Sequence, residues 1–392
     1  MPGHKEFIDH ELTLLSHHLV NWRRHFHENP ELSFQEINTS QFVYDTLLSI
    51  PDLEVTRPTK TSVMAKLKGE APGKIIALRA DMDALPIEEA NEFPFASKVP
   101  GVMHACGHDG HTAILLGVAT LLSKLKKDIK GEIRFLFQHA EELFPGGAEE
   151  MVNAGVMEGV DLVIGAHLWA ELPVGLVAVA PGPLLAAPDT FRITIIGRGG
   201  HAASPNETID PIAVGVQVVT NLQHIVSRYR DPFLPAVVSV TQFIAGTADN
   251  VIPGSALLAG TVRTFDQTLR DQIPEQMQRI VKGVCDAHAA NYEFSYQKGY
   301  RPVINDATIA SQLESSFLRT FGEERVRIAE PTMGGEDFSA YLQKAPGAFF
   351  FIGAGNEQTG ITYPHHHPRF TVDEDALAIG VKGYTNAVFD LM

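Results

Sequence analysis

Cys106 and His108 stand two residues apart in the stretch His104-Ala105-Cys106-Gly107-His108-Asp109-Gly110-His111, with Gly107 between them to let the backbone bend. A thiolate and a neutral imidazole are good donors for zinc and similar ions. Four other places carry side chains of the same kind: Asp81-Met82-Asp83, His139-Ala140-Glu141-Glu142, His167 and Pro364-His365-His366-His367-Pro368. Adjacent carboxylates such as Glu141 and Glu142 repel, so a cation beside one of them is expected, leaving the other to act as a base. Each cluster also has a plainer reading. A histidine after a strand is most often a hydrogen-bonded structural residue, Glu-Glu is often a solvated turn, and His365–His367 has an inert surface loop as its plainer reading, although the flanking prolines stiffen it in a way that suits a ligand-presenting loop. The two cysteines, Cys106 and Cys285, exclude a four-cysteine zinc knuckle, and the missing Cys-x-x-Cys pair excludes a dithiol redox centre. A cysteine nucleophile paired with histidine stays open, although the nearby carboxylates would raise its pKa unless a cation offset them.

The elements that must position these residues follow from apolar periodicity. Ile8, Leu12, Leu15, Leu19, Trp22 and Phe26 recur at steps of four and three, one face of a helix that Asn29-Pro30 ends. Residues 62–67, 75–79, 132–138 and 161–166 read as strands, and 40–48, 111–124 and 147–154 as helices. The chemistry-bearing clusters then fall just past strand ends, where ligands of open α/β sheets bind. Pro181-Gly182-Pro183 through Pro188 reads as a linker. Beyond it the rhythm becomes strand 190–196, helix 209–228, strands 236–244 and 256–264, helix 268–289 and strand 292–296. That is βαββαβ, the ferredoxin-like order. Helices 309–321, 336–343 and 375–389 and strand 348–352 resume the first pattern. The expected fold is therefore α/β: a helix-covered mixed sheet in two parts, 1–186 and 301–392, interrupted by an inserted α+β domain, 187–300. Cys285 falls on an amphipathic helix of the insert and reads as core.

Within the insert, Gly197-Arg198-Gly199-Gly200-His201 lacks the spacing of a nucleotide loop and reads as a turn displaying His201. Arg263 is the kind of forked donor a substrate carboxylate needs. That matters because 31 basic against 47 acidic side chains give a net charge of −16, which repels nucleic acid and obliges an anionic substrate to find a local cation. The N-terminal residues lack the apolar stretch of a signal peptide, and no uncharged run reaches the ~20 residues of a membrane helix. The expectation is a cytoplasmic protein with no membrane or nucleic-acid partner.

Taken together, Trp22-Arg23-Arg24-His25-Phe26-His27, Arg79-Ala80-Asp81-Met82-Asp83-Ala84-Leu85-Pro86, Met103 through His111, Glu141-Glu142, Gly199-Gly200-His201, Gly334-Gly335-Glu336-Asp337-Phe338 and His366-His367-Pro368 resemble the bacterial aminoacylase, hippurate hydrolase and indole-acetyl-amino-acid hydrolase group of co-catalytic metallopeptidases. The resemblance implies that Cys106, His108, Glu142, His167 and His366 hold two divalent ions per subunit, of zinc, manganese, cobalt or nickel. His366 is chosen because the family's ligand sits two residues before that proline. Asp83 would support the ligands, and Cys106 and Asp81 would take places held by aspartate and histidine in more distant relatives. Glu141 would be the general base of an amide hydrolysis on N-acyl-L-amino acids, His201 would stabilise the oxyanion, and Asn250 and Arg263 would hold the substrate carboxylate. The inserted domain would serve as lid and dimerisation domain, giving a homodimer or higher oligomer. A carboxypeptidase, a dipeptidase or an N-acetyl-diaminopimelate deacetylase on the same machinery is the alternative. A non-catalytic metal-binding protein would need a broken ligand set, and none of the proposed residues is missing.

Overall fold

A computed structural model describes residues 2–392, with side chains from Lys5 onward. In chain order its elements are α1 (Pro2–Glu28), α2 (Ile37–Leu48), β1 (Leu53–Thr56), β2 (Val63–Lys68), β3 (Ala71–Asp81), α3 (His108–Lys124), β4 (Lys130–Gln138), α4 (Ala148–Asn153), β5 (Leu162–Pro173) and β6 (Val177–Val179). Then come β7 (Gly182–Leu185), β8 (Ala187–Ile196), β9 (Gly200–His201), α5 (Pro211–His224), β10 (Ala236–Ala245), β11 (Val251–Ile252), β12 (Ser255–Thr264), α6 (Gln267–Ala287) and β13 (Asn291–Gln297). The chain finishes with β14 (Val303–Asn305), α7 (Ala307–Phe321), β15 (Val326–Ile328), α8 (Ser339–Leu342), β16 (Gly347–Gly355) and α9 (Asp375–Leu391). Two compact units result: residues 1–184, 304–330 and 337–392, and residues 185–303 with 331–336.

The larger unit is built on an eight-stranded mixed sheet of order β1-β2-β4-β3-β5-β16-β6-β15. Its centre, β4-β3-β5-β16, is parallel. Strands buried on both faces need continuous apolar runs; all nine residues of β16 and the last six of β4 are buried. Helices cover the sheet, and α3 is the most enclosed, packed against α1 and α9. Gly117 is what permits that approach, since a Cβ there would sit 2.5 Å from Leu19 and 2.8 Å from Val381. The expected face of α1 is buried at Ile8, Leu12, Leu15, Leu19 and Phe26, while Trp22 is half-buried.

The smaller unit is an antiparallel sheet of order β10-β12-β8-β13, packed with α5 and α6 in the chain order βαββαβ. Asp210 and Asp266 cap the two helices by accepting backbone N–H groups of Ile212, Ala213 and Leu269. Cys285 is fully buried in this unit's core, beside Met277, Val281 and Ile273. Buried Asp189 accepts from Arg270, from the Tyr296 hydroxyl at 2.9 Å and from the Gly299 amide at 2.8 Å, so its charge is matched on every side.

Four local expectations need correction. Residues 181–188 are not a linker but hold β7 and the start of β8, because proline is compatible with extended backbone at strand starts and edges. The helix expected at 336–343 shrinks to the single turn Ser339–Leu342. β5 does not stop before His167 but runs through it to Pro173. Finally, α3 begins at His108 rather than His111. No helix among the described residues is long and apolar enough to cross a membrane.

Candidate metal centre

The larger unit brings all five expected ligands together at the carboxyl ends of its central parallel strands. β3 ends at Asp81, delivering Asp83 two residues on, and β4 leads through Ala140, at a positive φ of 52°, to Glu141 and Glu142. Gly107 caps α3 in the left-handed region, at φ 94°, so the chain turns sharply from Cys106 into His108 in the helix's first turn. β5 supplies His167, and a C-terminal loop supplies His366, itself at φ 65°.

Two donor groups share one sulfur. Cys106, His108 and His167 offer ligand atoms within 4.8 Å of one another, and so do Cys106, Glu142 and His366. Within them, Cys106 Sγ lies 3.4 Å from His167 Nε2, and His366 Nε2 lies 3.3 Å from Glu142 Oε1. His108 Nε2 faces Glu142 Oε1 at 3.9 Å and Glu141 Oε2 at 4.0 Å. The far side of each buried imidazole is tied down. His108 Nδ1 donates to the Asp83 carbonyl at 2.9 Å, with Asp83 Oδ1 at 3.3 Å, and His167 Nδ1 donates to the Leu168 carbonyl at 2.7 Å. Both rings therefore turn Nε2 inward, the orientation a metal ligand needs. Asp83 also accepts the Glu142 amide at 2.9 Å and the Ser33 hydroxyl at 2.7 Å, so one carboxylate steadies two of the five.

The neighbouring histidines sort themselves by what already occupies their nitrogens. His365 Nε2 accepts the Ala170 amide at 3.1 Å, whereas His366 Nε2 turns towards Glu142. His367 stacks on Tyr363 and accepts the Arg369 amide. His111 is engaged at both nitrogens, by Asp81 and by the Leu168 amide. His104 is buried with no hydrogen-bond partner at either nitrogen among the described residues, and it belongs to neither donor group. In the sequence His111 stands in the same cluster as Cys106 and His108, and only the fold shows that both of its nitrogens are taken.

The charges favour a cation. Burial pushes the Cys106 thiol well up, and Glu142, Glu141 and Asp81 push it further. Burial alone would lower the His108 pKa, yet Asp81, Asp83 and Glu142 outweigh it and raise the value to about 10. His167 is driven well below the ordinary histidine value by burial and by His111 and His365. A site that keeps its thiol protonated and adds a proton to an imidazole is short of positive charge. Divalent ions would relieve that shortage and turn both groups into ligands. Buried His108 Nε2, with no hydrogen-bond partner among the described residues, fits the same reading.

The smaller unit holds the other expected residues in two places. β9 pairs with β11, setting His201 opposite Val251, and the Asn250 carbonyl accepts the Ala202 amide at 3.0 Å. His201 is exposed, and its Nδ1 accepts the Ala203 amide at 3.0 Å, which leaves the proton on Nε2. Arg263 is half-buried on β12, donating from Nε to the Met333 carbonyl at 3.1 Å and from Nη1 to Thr261 and the Val262 carbonyl, with no ion pair among the described residues. It lies eight residues along β12 from Ser255, the end next to the His201–Asn250 ribbon. At ~3.3 Å per residue that is roughly 26 Å. Arg263 and the ribbon that carries His201 and Asn250 therefore lie towards opposite ends of β12.

The profile of peptidase family M20/M25/M40 matches residues 77–390. An N-acyl-L-amino acid amidohydrolase of Geobacillus stearothermophilus is 65% identical over 77% of this chain and 81% of its own. Thermostable carboxypeptidase 2 of Saccharolobus solfataricus is 44% identical over 96% of this chain and 95% of its own. Among solved structures, a Bacillus subtilis protein described as a dinuclear metal-binding peptidase of the M20 family superposes with a TM-score of 0.84 at 40% identity, covering 97% of this chain and 99% of that one.

Proposed function

The chain belongs to peptidase family M20/M25/M40, and from that premise we propose that it hydrolyses the amide bond of N-acyl-L-amino acids at a pair of divalent ions. The observation that carries this reading is the Cys106 sulfur common to two donor groups, with Glu141 beside them. Cys106, His108 and His167 would hold one ion, and Cys106, Glu142 and His366 the other. Thiolate, imidazole and carboxylate together suit zinc, cobalt, nickel or manganese.

When bound, such a pair supplies Lewis acidity and brings the pKa of a water towards ~7. Glu141 takes the proton from the attacking water and later delivers it to the departing amine, so amide and water become a carboxylate and a free amino acid. His201 donates from Nε2 to the carbonyl oxygen as negative charge builds there. Arg263, a guanidinium without a protein counter-ion among the described residues, receives the substrate carboxylate. The separation of Arg263 from His201 and Asn250 is met if the latter two serve the active site of a second copy, so we assign the protein as a homodimer.

The test is metal content and hydrolysis of N-acetyl-methionine and hippurate by the purified protein, before and after chelation. Two equivalents of metal, loss of hydrolysis on chelation and recovery on restoring the ion are expected; full activity in metal-free protein would overturn the reading. The 44% identity to a carboxypeptidase over nearly the whole chain favours one second reading, dipeptide cleavage at the same centre. Greater kcat/KM on dipeptides than on N-acetyl amino acids would select it.

A further inference from the structure

His111 touches neither donor group's shared sulfur, yet it is buried against His167, with ring centroids 4.5 Å apart at 72°. Its Nε2 accepts the Leu168 amide at 2.8 Å. A backbone N–H can only donate, so that nitrogen carries no proton, and the ring's hydrogen sits on Nδ1, 2.6 Å from Asp81 Oδ1. Asp81 in turn receives Arg79 Nη1 on its other oxygen at 2.6 Å. Arg79 is 1% exposed and also donates from Nε to Gln138 Oε1 and from Nη2 to Asp337 Oδ1, each at 2.8 Å. A continuous line of oriented groups thus runs from Asp337 through Arg79, Asp81 and His111 to the backbone of β5.

That line ends where a ligand begins. Leu168 is held at its N–H by His111 and at its C=O by His167 Nδ1, 2.7 Å away. With Nδ1 engaged there, His167 Nε2 faces Cys106 Sγ at 3.4 Å. Removing the acceptor on His111 strands a buried N–H at Leu168, a group that must then find another partner by shifting. The shift would move the carbonyl on which the His167 ring is hung.

We infer that His111 is a positioning residue of the metal centre, which it serves through the backbone of Leu168 by fixing the aim of His167. This rests on the di-metal reading above. His111 does not itself ligate, since both nitrogens are spoken for, and Asp81 and Arg79 serve to set its tautomer.

Two substitutions separate the links. In His111→Gln the amide oxygen falls near the place of Nε2 and keeps an acceptor for Leu168. In His111→Asn the amide falls near Nδ1 and keeps only the contact with Asp81. Affinity for cobalt would be measured by competition with a chromophoric chelator, alongside the sulfur-to-cobalt charge-transfer band and far-UV circular dichroism. Losing a support behind a ligand typically weakens metal binding by about 10–100-fold. His111→Asn is expected to show that loss at one of the two ions, with an altered cobalt spectrum and retained secondary structure. His111→Gln is expected to stay within about threefold of the unsubstituted protein. Equal weakening in both variants, wild-type affinity in His111→Asn, or a His111→Gln protein that does not fold would each overturn the inference. An unsubstituted protein binding fewer than two ions would instead overturn the di-metal reading.

Discussion

Cys106 occupies the overlap of two donor groups, and that predicts an outcome different from loss of any other ligand. Cys106→Ala should lose both ions, whereas His167→Ala should retain one, as elemental analysis of dialysed protein would show; full metal content in Cys106→Ala would remove the sulfur from the ligand set. Glu141→Gln should keep both ions and lose about 10²–10⁴ in turnover, because the amide cannot accept the water's proton. Wild-type turnover in that variant would mean the base has been misassigned. The clusters that carry the five proposed ligands were legible in the sequence, since Glu142 and His167 follow apolar strand residues and Cys106 and His108 flank Gly107, while the ligand set itself came from the resemblance. The choice of His366 over His365 rested on resemblance alone, and the Ala170 amide that occupies His365 Nε2 is a tertiary fact.

At the level of elements, the sharp entry into α3 depends on Gly107, whose φ of 94° is a conformation that side chains resist. A Cβ there would meet nothing closer than 3.6 Å, so the penalty of Gly107→Ala comes from the backbone and not from crowding. About 1–2 kcal/mol of destabilisation is expected, with weakened metal binding because Cys106 and His108 flank the turn. Unchanged denaturant midpoint and metal affinity would show that another backbone path serves as well. Sequence periodicity located α1, α3 and the central strands but missed their ends. It began α3 at the first apolar turn and ended β5 at the first histidine, because polar residues at an element's end look like loop until their partners are known. The short strands β1, β7, β14 and β15 escaped for a related reason: a few residues carry too little pattern to register without the neighbour they pair with.

For the whole molecule, the eight residues of β12 between Ser255 and Arg263, roughly 26 Å of strand, make complementation the decisive test of the proposed dimer. Glu141→Gln and His201→Ala dimers should each be nearly inactive alone. Mixed and re-associated in equal amounts, they should recover about a quarter of wild-type activity, since half the dimers would be mixed and each would carry one intact active site. No recovery, with exchange of subunits verified, would place His201 in the active site of its own chain. Neither the separation nor the return of residues 331–336 to the smaller unit has any signature in the sequence.

The sequence by itself determined the chemistry on offer: which side chains can bind metal, which carboxylate pair can divide into ligand and base, and an α/β scaffold interrupted by a βαββαβ insert. Those follow from residue type and from periods of two and 3.6, which are local properties of a chain. Only the tertiary structure decided which nitrogen of each histidine is already engaged, that one sulfur serves two donor groups, and how far Arg263 lies from His201. Hydrogen-bond partners and distances join residues tens to hundreds of positions apart, and nothing short of the packed fold selects among them.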